Sequence, residues 1–364
     1  MDTRTKNNIM NNLKICVYAI SRNEQQFVNR FWQSVQDADL VLLADTGSTD
    51  CTVELAKQCG IVTYSISVDP WRFDVPRNTA LSLVPGDFDV CVSLDLDEIM
   101  TPGWRQEIER LWVPGTTHMR YRYNWGNNLE FSYEKIHHRH GYQWRNMCHE
   151  VLVADPRIKE QWVETDQLLT QHLPDPSKSR AQYLDLLAAD VKDNPHNERN
   201  ALYYARELHF NRRWQDCILA VDRYLAMPAA TWSHERSYAL RYQGRSHKAL
   251  AQWNQAEHAF LQAQQAEPSI REPWIDLCEL YQITRQWDRS LDAVEQALAL
   301  THREYFYTAD PEVWKSKPYD LAALAAWNLG IKPKAVEYGL QAVELDPQNA
   351  RLISNLEWYQ GKKN

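Results

Sequence analysis

Three carboxylates crowd into four positions of VSLDLDEIM (92–100): Asp95, Asp97 and Glu98 follow directly on an apolar run. Acidic side chains are poor strand formers, and burying one unpaired costs on the order of several kcal/mol. The chemistry that suits such a cluster is the holding of a hard divalent cation. Two Asp at i and i+2 point to opposite sides of an ideal strand, but where a strand breaks into a loop both can turn towards one ion. Carboxylate oxygens suit Mg²⁺ or Mn²⁺, and these ions commonly bridge protein carboxylates and a substrate diphosphate. A second stretch, ADTGSTDCT (44–52), ends a strand in Asp45 and opens a helix after a glycine turn. A carboxylate there can accept hydrogen bonds from a base N–H or a ribose hydroxyl, as acidic residues do in dinucleotide-binding folds. Capping of the helix by Ser48 or Thr49 accounts for part of this stretch, but not for Asp45 in the last step of the strand.

The elements that position these residues alternate. LKICVYAI, ADLVLLAD and IVTYSISV are apolar, β-rich strands, and FDVCVSLDLDE is a fourth. Between them, EQQFVNRFWQSVQ spaces Phe27, Phe31 and Val35 four apart as one helix face, STDCTVELAKQCG is a helix ending at Gly60, and PRNTALSLV is a short third helix. The order β-α-β-α-β-α-β predicts an α/β domain with a parallel sheet covered by helices on both faces. In such sheets ligands bind at the carboxyl ends of strands, where Asp45 and Asp95–Asp97 fall.

The rest of the chain has a helical period and an internal repeat. Trp253 and Trp287 stand one 34-residue tetratricopeptide period apart. Residues 237–270 supply Leu240, Gly244, Ala256, Phe260, Ala263 and Pro268 at the register positions, and 271–304 supply Trp274, Leu277, Cys278, Tyr281, Ser290, Val294 and Ala297. Residues 316–349 supply Tyr319, Ala323, Ala335, Ala342 and Pro347; 198–231 fit more loosely, with Ala205, Cys217 and Val221. Small residues at these places let two helices approach closely. Trp274, Tyr281 and Trp287 are expected in the core, with breaks in the array near 232–236 and 305–315. The expected division is a catalytic domain at 1–173, a linker and first helix at 174–197, and repeats at 198–364.

Bulk composition narrows the function. Six of the eight net negative charges fall before Pro174, whereas proteins that track nucleic-acid phosphates are usually basic. The seven cysteines are scattered without a CxxC pair, as expected for reduced thiols in the cytoplasm. The polar start MDTRTKNNIMNNLK lacks a signal-peptide apolar core, and no apolar run reaches the roughly 20 residues of a spanning helix.

Taken in order, ISRNE, LLADTGSTDCT, RFDVPRN and SLDLDE resemble a family 2 glycosyltransferase of the GT-A fold over about residues 14–155. The fusion to tetratricopeptide repeats resembles a recurring bacterial and phage arrangement of such enzymes. The resemblance implies a Rossmann-like, mainly parallel domain that binds a nucleotide-sugar, UDP-linked for preference, with Mn²⁺ or Mg²⁺. It implies that Ser21 lies near the base, that Asp45 contacts base or ribose, and that Arg77 and Asn78 lie near the diphosphate. Asp95 and Asp97 match its D-x-D, Asp97 as metal ligand and Asp95 on ribose or metal. The family also needs a base to deprotonate the acceptor hydroxyl, and a carboxylate is usual. In WRNMCHEVL the resemblance assigns Glu150 that role, with His149 as a metal or diphosphate contact; inversion at the anomeric carbon is likewise implied.

Between the two sites, residues 117–149 carry five Lys and Arg against two Glu, with Trp125, Trp144 and several Tyr and Phe. MRYRYNW alternates as a strand, and NWGNNLEF forms a hairpin turning at Gly126–Asn127. This segment is expected to build the acceptor side, with aromatic faces on sugar rings or bases and basic groups on phosphate. His137, His138 and His140 are expected at the surface. The acceptor is a saccharide, a peptide or protein, or a hydroxymethylated base of phage DNA. The repeats recognise it or join two copies of the chain. The rival reading is a non-catalytic scaffold built on a degenerate transferase domain.

Overall fold

A computed structural model describes residues 13–126, 129–175 and 182–362. The chain divides into two units, Met1–Arg180 and Ala181–Asn364. In the first, the strands are β1 (Ile15–Ser21), β2 (Leu40–Asp45), β3 (Val62–Ser65), β4 (Val90–Ser93), β5 (Glu98–Met100), β6 (His118–Gly126), β7 (Leu129–His138), β8 (Tyr142–Arg145), β9 (Val151–Ala154) and β10 (Trp162–His172). Its helices are α1 (Gln25–Val35), α2 (Thr52–Gln58), α3 (Asp74–Leu83) and α4 (Trp104–Leu111). Eight strands form one sheet in the order β3-β2-β1-β4-β7-β6-β10-β5, and β8 and β9 pair separately.

The predicted parallel core is present: β1 runs parallel to β2 and β4, and β2 parallel to β3. Residues Ile15 to Ala19 of β1 are all buried, which is why that strand reads as a continuous apolar run rather than an alternating one. On one face Phe27, Phe31 and Val35 of α1, Ala56 of α2, and Trp104 and Ile108 of α4 pack on Ile15 and Val17. On the other, Ala80 and Leu81 of α3 cover Cys16 and Tyr18. Burying a side chain such as Phe31 contributes about 1.5–3 kcal/mol. Gly60, with φ +87°, terminates α2 where an L side chain would be strained.

The second half of the sheet is mixed. β7 is antiparallel to both β4 and β6, so β6 runs in the direction of β4, and β10 runs parallel to β6. The carboxyl ends of β1, β2, β4, β6 and β10 therefore share one rim. Short β5 pairs antiparallel with β10 and starts at that rim. The expected hairpin of β6 and β7 forms, with Gly126 opposite Leu129; Asn127 of its turn lies outside the described residues.

Two local expectations are corrected. The fourth strand ends at Ser93, so Asp95 and Asp97 occupy the turn beyond it. Helix α2 begins at Thr52, and neither Ser48 nor Thr49 caps it. Those side chains lace two rim loops together instead. Ser48 Oγ accepts from the Asn23 N–H (2.9 Å), and Asn23 Oδ1 accepts from the Thr49 N–H (2.7 Å).

The second unit comprises α5 (Gln182–Asp193), α6 (Glu198–Phe210), α7 (Trp214–Leu225), α8 (Ser233–Ala249), α9 (Trp253–Ala266), α10 (Glu272–Ile283), α11 (Trp287–Ala299), α12 (Lys317–Asn328), α13 (Lys332–Leu345) and α14 (Ala350–Tyr359). Helices α6 to α13 pack as four successive pairs, as the 34-residue period predicts. The small register residues Ala205, Cys217, Ala256, Cys278, Ser290, Ala323 and Ala335 are buried. Trp287 is only half-buried and Trp253 is exposed, because each opens its helix at the edge of a pair. The first break falls between α7 and α8, so 233–236 is already helix.

The second break spans the α11–α12 connection, where a 3-10 turn covers Pro311–Trp314. This connection reaches back over earlier repeats. Glu304 pairs with His234 at 3.2 Å, and the Phe306 ring lies 4.3 Å from that imidazole. The Tyr307 hydroxyl donates to Glu235, and the Asp310 N–H donates to Glu272 Oε1 at 2.9 Å.

The helix pairs set a steric limit that can be tested. A Cβ added at Gly244 would lie 2.4 Å from the Phe260 ring. Gly244→Ala should destabilise the helical unit by about 1–3 kcal/mol despite alanine's better helix propensity. A thermal midpoint equal to or above that of the unsubstituted chain would contradict this packing.

Candidate active site

The β4–β5 turn separates the two aspartates. The Asp95 carboxylate meets Arg77 through Nη1 at 2.9 Å and accepts from Nη2 at 3.1 Å and from Lys135 Nζ at 3.2 Å. Asp97 lies 3.4 Å from Nε2 of His172 at the end of β10. Two buried cations thus claim Asp95, whereas Asp97 meets an imidazole. Glu98, 2% exposed, accepts from Lys135 at 3.0 and 3.2 Å and from the Tyr123 hydroxyl at 2.6 Å. Its other role is to accept the Asp95 N–H at 2.9 Å, closing the turn.

These charges set one another's protonation. Burial pushes the Asp95 carboxyl up, but Arg77 and Lys135 outweigh it and hold the group well below the usual carboxylate range. Burial dominates at Glu98 and raises it, with Lys135 opposing and Asp95 adding. Burial pulls Lys135 down, yet the carboxylates of Asp95 and Glu98 prevail and hold it well above its ordinary value. At His172 burial is likewise outweighed, here by Asp97, and the imidazole is raised.

Arg77 also donates through Nε to Glu150, and its guanidinium lies 5.2 Å from the Trp144 ring. The structure therefore brings Arg77, Asp95 and Glu150 into one cluster. Asn78, adjacent on α3, serves the backbone instead. It donates to the Trp144 carbonyl and accepts the Trp144 N–H, both at 2.8 Å. That pair of bonds fixes the end of β8, just ahead of the 146–150 loop. His149 lies in this loop, between β8 and β9, with φ +51°. Among the described residues, no three His, Cys, Asp or Glu side chains stand together as a ligand set.

At the β2 end, Asp45 is 3% exposed and saturated. Its carboxylate accepts from Ser21 Oγ (2.8 Å), Ser48 Oγ (2.5 Å), the Gly47 N–H (3.1 Å) and the Ser48 N–H (2.9 Å). Ser21 and Asp45 are thus joined directly, and the strand-end placement of Asp45 is what holds the glycine turn.

Sequence reasoning missed Lys135 and His172. Lys135 lies within β7 and is 4% exposed, a place where a lysine needs buried acids. His172 closes β10 just ahead of Leu173–Pro174, a strand end that topology alone puts at the rim. The expected surface position of His137 is corrected as well. It is fully buried, with Nε2 3.0 Å from the Tyr18 hydroxyl, which accepts from Trp144 Nε1 at 2.8 Å. The expected phosphate-binding basic groups of the hairpin are spent on its own acids. Arg120 donates to Glu134 at 2.7 Å, and Arg122 donates to Glu130.

Burial pushes His137 down to about 3, so it is neutral when folded. The unfolded chain binds the extra proton below about pH 6.5, so stability falls as pH falls from there towards 3, by about 1.4 kcal/mol per pH unit. His137→Gln, which keeps a hydrogen-bonding side chain without titrating, should flatten that slope by this amount between pH 6 and 4 in urea unfolding. Parallel slopes for the two proteins would refute the assignment.

Comparison with known proteins bears on each unit separately. Residues 16–154 match the family described as "Glycosyl transferase family 2". Solved structures similar to the helical half include MamA (18% identity, TM-score 0.38, 46% of this chain and 89% of that one). Others are YrrB, described as a TPR protein with an unusual peptide-binding site (14%, 0.38, 48% and 82%), and PilW, a type IV pilus biogenesis factor (17%, 0.41, 48% and 74%).

Proposed function

We propose that the family 2 glycosyltransferase domain of residues 16–154 is a working enzyme that moves a sugar from a nucleotide-sugar, most simply a UDP-sugar, to an acceptor hydroxyl. The observation that carries this reading is the cluster of Arg77, Asp95 and Glu150 beside the Asp97–His172 pair at the sheet's carboxyl rim. Ser21, Asp45 and the loops laced by Asn23, Ser48 and Thr49 supply the nucleoside end, where a ribose hydroxyl or base N–H competes for the Asp45 oxygens. Arg77, with Asn78 holding the neighbouring loop, faces the diphosphate end.

The donor set at Asp97 and His172 fits a divalent cation in part. One carboxylate oxygen and one imidazole nitrogen suit Mn²⁺ or Mg²⁺ when substrate phosphates and water complete the sphere. Asp95 contributes charge rather than a free lone pair, and His149 stays a candidate diphosphate contact. When bound, the ion neutralises the departing diphosphate as a Lewis acid.

Glu150 gives one oxygen to Arg77 and keeps the other for the acceptor. In the proposed step the acceptor oxygen bonds to the anomeric carbon, and the bond from that carbon to the diphosphate oxygen breaks. The nucleoside diphosphate leaves with the electron pair, the acceptor proton passes to Glu150, and the configuration inverts. The repeats are read as the unit that recruits the acceptor or a second copy of the chain. The free state of all seven thiols agrees with a cytoplasmic setting, and no described helix is long and apolar enough to cross a membrane.

A panel of nucleotide-sugars tested by thermal shift, with and without Mn²⁺, identifies the donor, because stabilisation grows with occupancy. The true donor should raise the midpoint only with metal, and Asp97→Ala or His172→Ala should abolish that metal dependence. A full panel without any shift would defeat the enzymatic reading and leave the scaffold alternative. Glu150→Gln should cut turnover by about 10²–10⁴-fold while donor binding persists; full transfer by that variant would remove Glu150 from the base role.

A further inference from the structure

We infer that one edge of the helical unit docks on an anionic membrane surface. The inference concerns that unit alone and does not depend on the transferase reading. In each of the four helix pairs the first helix reverses into the second through a three-residue turn: 211–213, 250–252, 284–286 and 329–331. Because the pairs stack in succession, these turns line up along one edge of the array. All four put large apolar side chains into solvent. In or beside the turns, Phe210, Leu250, Trp253, Ile283, Leu329 and Ile331 are between 37% and 54% exposed. Charge on this edge has one sign. None of the twelve turn residues is acidic and three are arginines, in a chain of net charge −8. Arg212 and Arg285 hold the left-handed position of their turns, both at φ +58°, where glycine is the favoured residue, as at Gly330 in the fourth turn. Arg213 pairs with Asp216 and Lys334 with Glu295, whereas the exposed Arg212, Arg285 and Lys332 enter no ion pair among the described residues.

Charge and spacing select the partner. Aromatic and aliphatic side chains interleaved with unpaired cations match a bilayer whose headgroups are negative. The apolar groups enter the acyl boundary and the cations stay at headgroup level. The opposite edge, where one pair passes to the next, also exposes Trp232 and Leu345, but it carries Glu267, Glu304, Glu312 and Asp346. An anionic surface repels that edge and so fixes which side docks. A second copy presenting the same turns would set cations against cations, which disfavours self-association there. A peptide on a helical surface lies in an apolar groove. Here the apolar groups sit on successive turns with Asn211, Gln252 and Thr284 among them. Fluid lipid fills the space between such rungs, whereas a protein partner must match their shape.

The test is co-sedimentation of the full chain with two kinds of vesicle: phosphatidylcholine alone, and phosphatidylcholine with phosphatidylglycerol in equal parts. The chain should bind the mixed vesicles in preference, and added salt should weaken that binding. Two double variants, Phe210→Ser with Ile283→Ser and Arg212→Ser with Arg285→Ser, should each weaken it at least about tenfold. Leu345→Ser, on the opposite edge, should bind like the parent. An unchanged circular dichroism spectrum and thermal midpoint show that a variant folds, and if the apolar pair does not fold, the arginine pair decides. Absence of vesicle binding, equal binding to both kinds of vesicle, or parental binding by a folded double variant overturns the inference. So does binding of a helical Glu/Leu peptide in place of vesicles, which would assign the edge to a protein partner. Dissociation of an oligomer by the apolar variant without vesicles would assign it to a second copy and overturn the inference as well.

Discussion

The first unit is organised around a buried ionic lattice. Arg77 and Lys135 stand against Asp95, Glu98 and Glu150 where the sheet ends, and both cations are nearly sealed from water. Such a lattice is costly to assemble and costlier to break: removing one partner from a buried pair leaves an uncompensated charge at about 3–5 kcal/mol. Its members come from α3, the β4–β5 turn, β5, β7 and the loop before β9. The elements must therefore dock in one arrangement for the charges to cancel. The same lattice shapes the turn, since Asp95 is held by two cations while Asp97, two residues on, pairs with His172.

Preorganisation extends from that lattice to the ends of β1 and β2. Asp45 spends four hydrogen bonds on Ser21, Gly47 and Ser48. Asn23 and Thr49 tie the loop after β1 to the loop after β2. Loops placed this way need little ordering when a ligand arrives, and ordering is one of the main costs of binding. The rim is thus rigid around Asp45 and open where Trp125 projects.

The alternation of strands and helices was legible because apolar runs and four-residue spacings report burial directly, and the repeat was legible because small residues recur at fixed intervals. The acidic rim followed from the parallel topology. Partners across the sheet were not legible. Nothing local in FSYEKIHH says that Lys135 meets Glu98, since that depends on β7 inserting antiparallel beside β4. His172 is distant in sequence from Asp97, and only the pairing of β10 with β5 and β6 brings them together. Ser48 and Thr49 were misjudged because hydroxyls serve helix caps and loop crossings equally well, and the tertiary neighbour decides.

In repeat arrays each module ordinarily touches only the next, so stability is nearly a sum over neighbours and ends can fray independently. The segment from Glu304 to Asp310 departs from that scheme, reaching His234, Glu235 and Glu272 in two earlier modules. It acts as a cross-tie in an otherwise linear chain of couplings. Melting of the third pair alone would release contacts in the second, which raises the cooperativity of the array and makes it behave as a single block rather than a string of separable links.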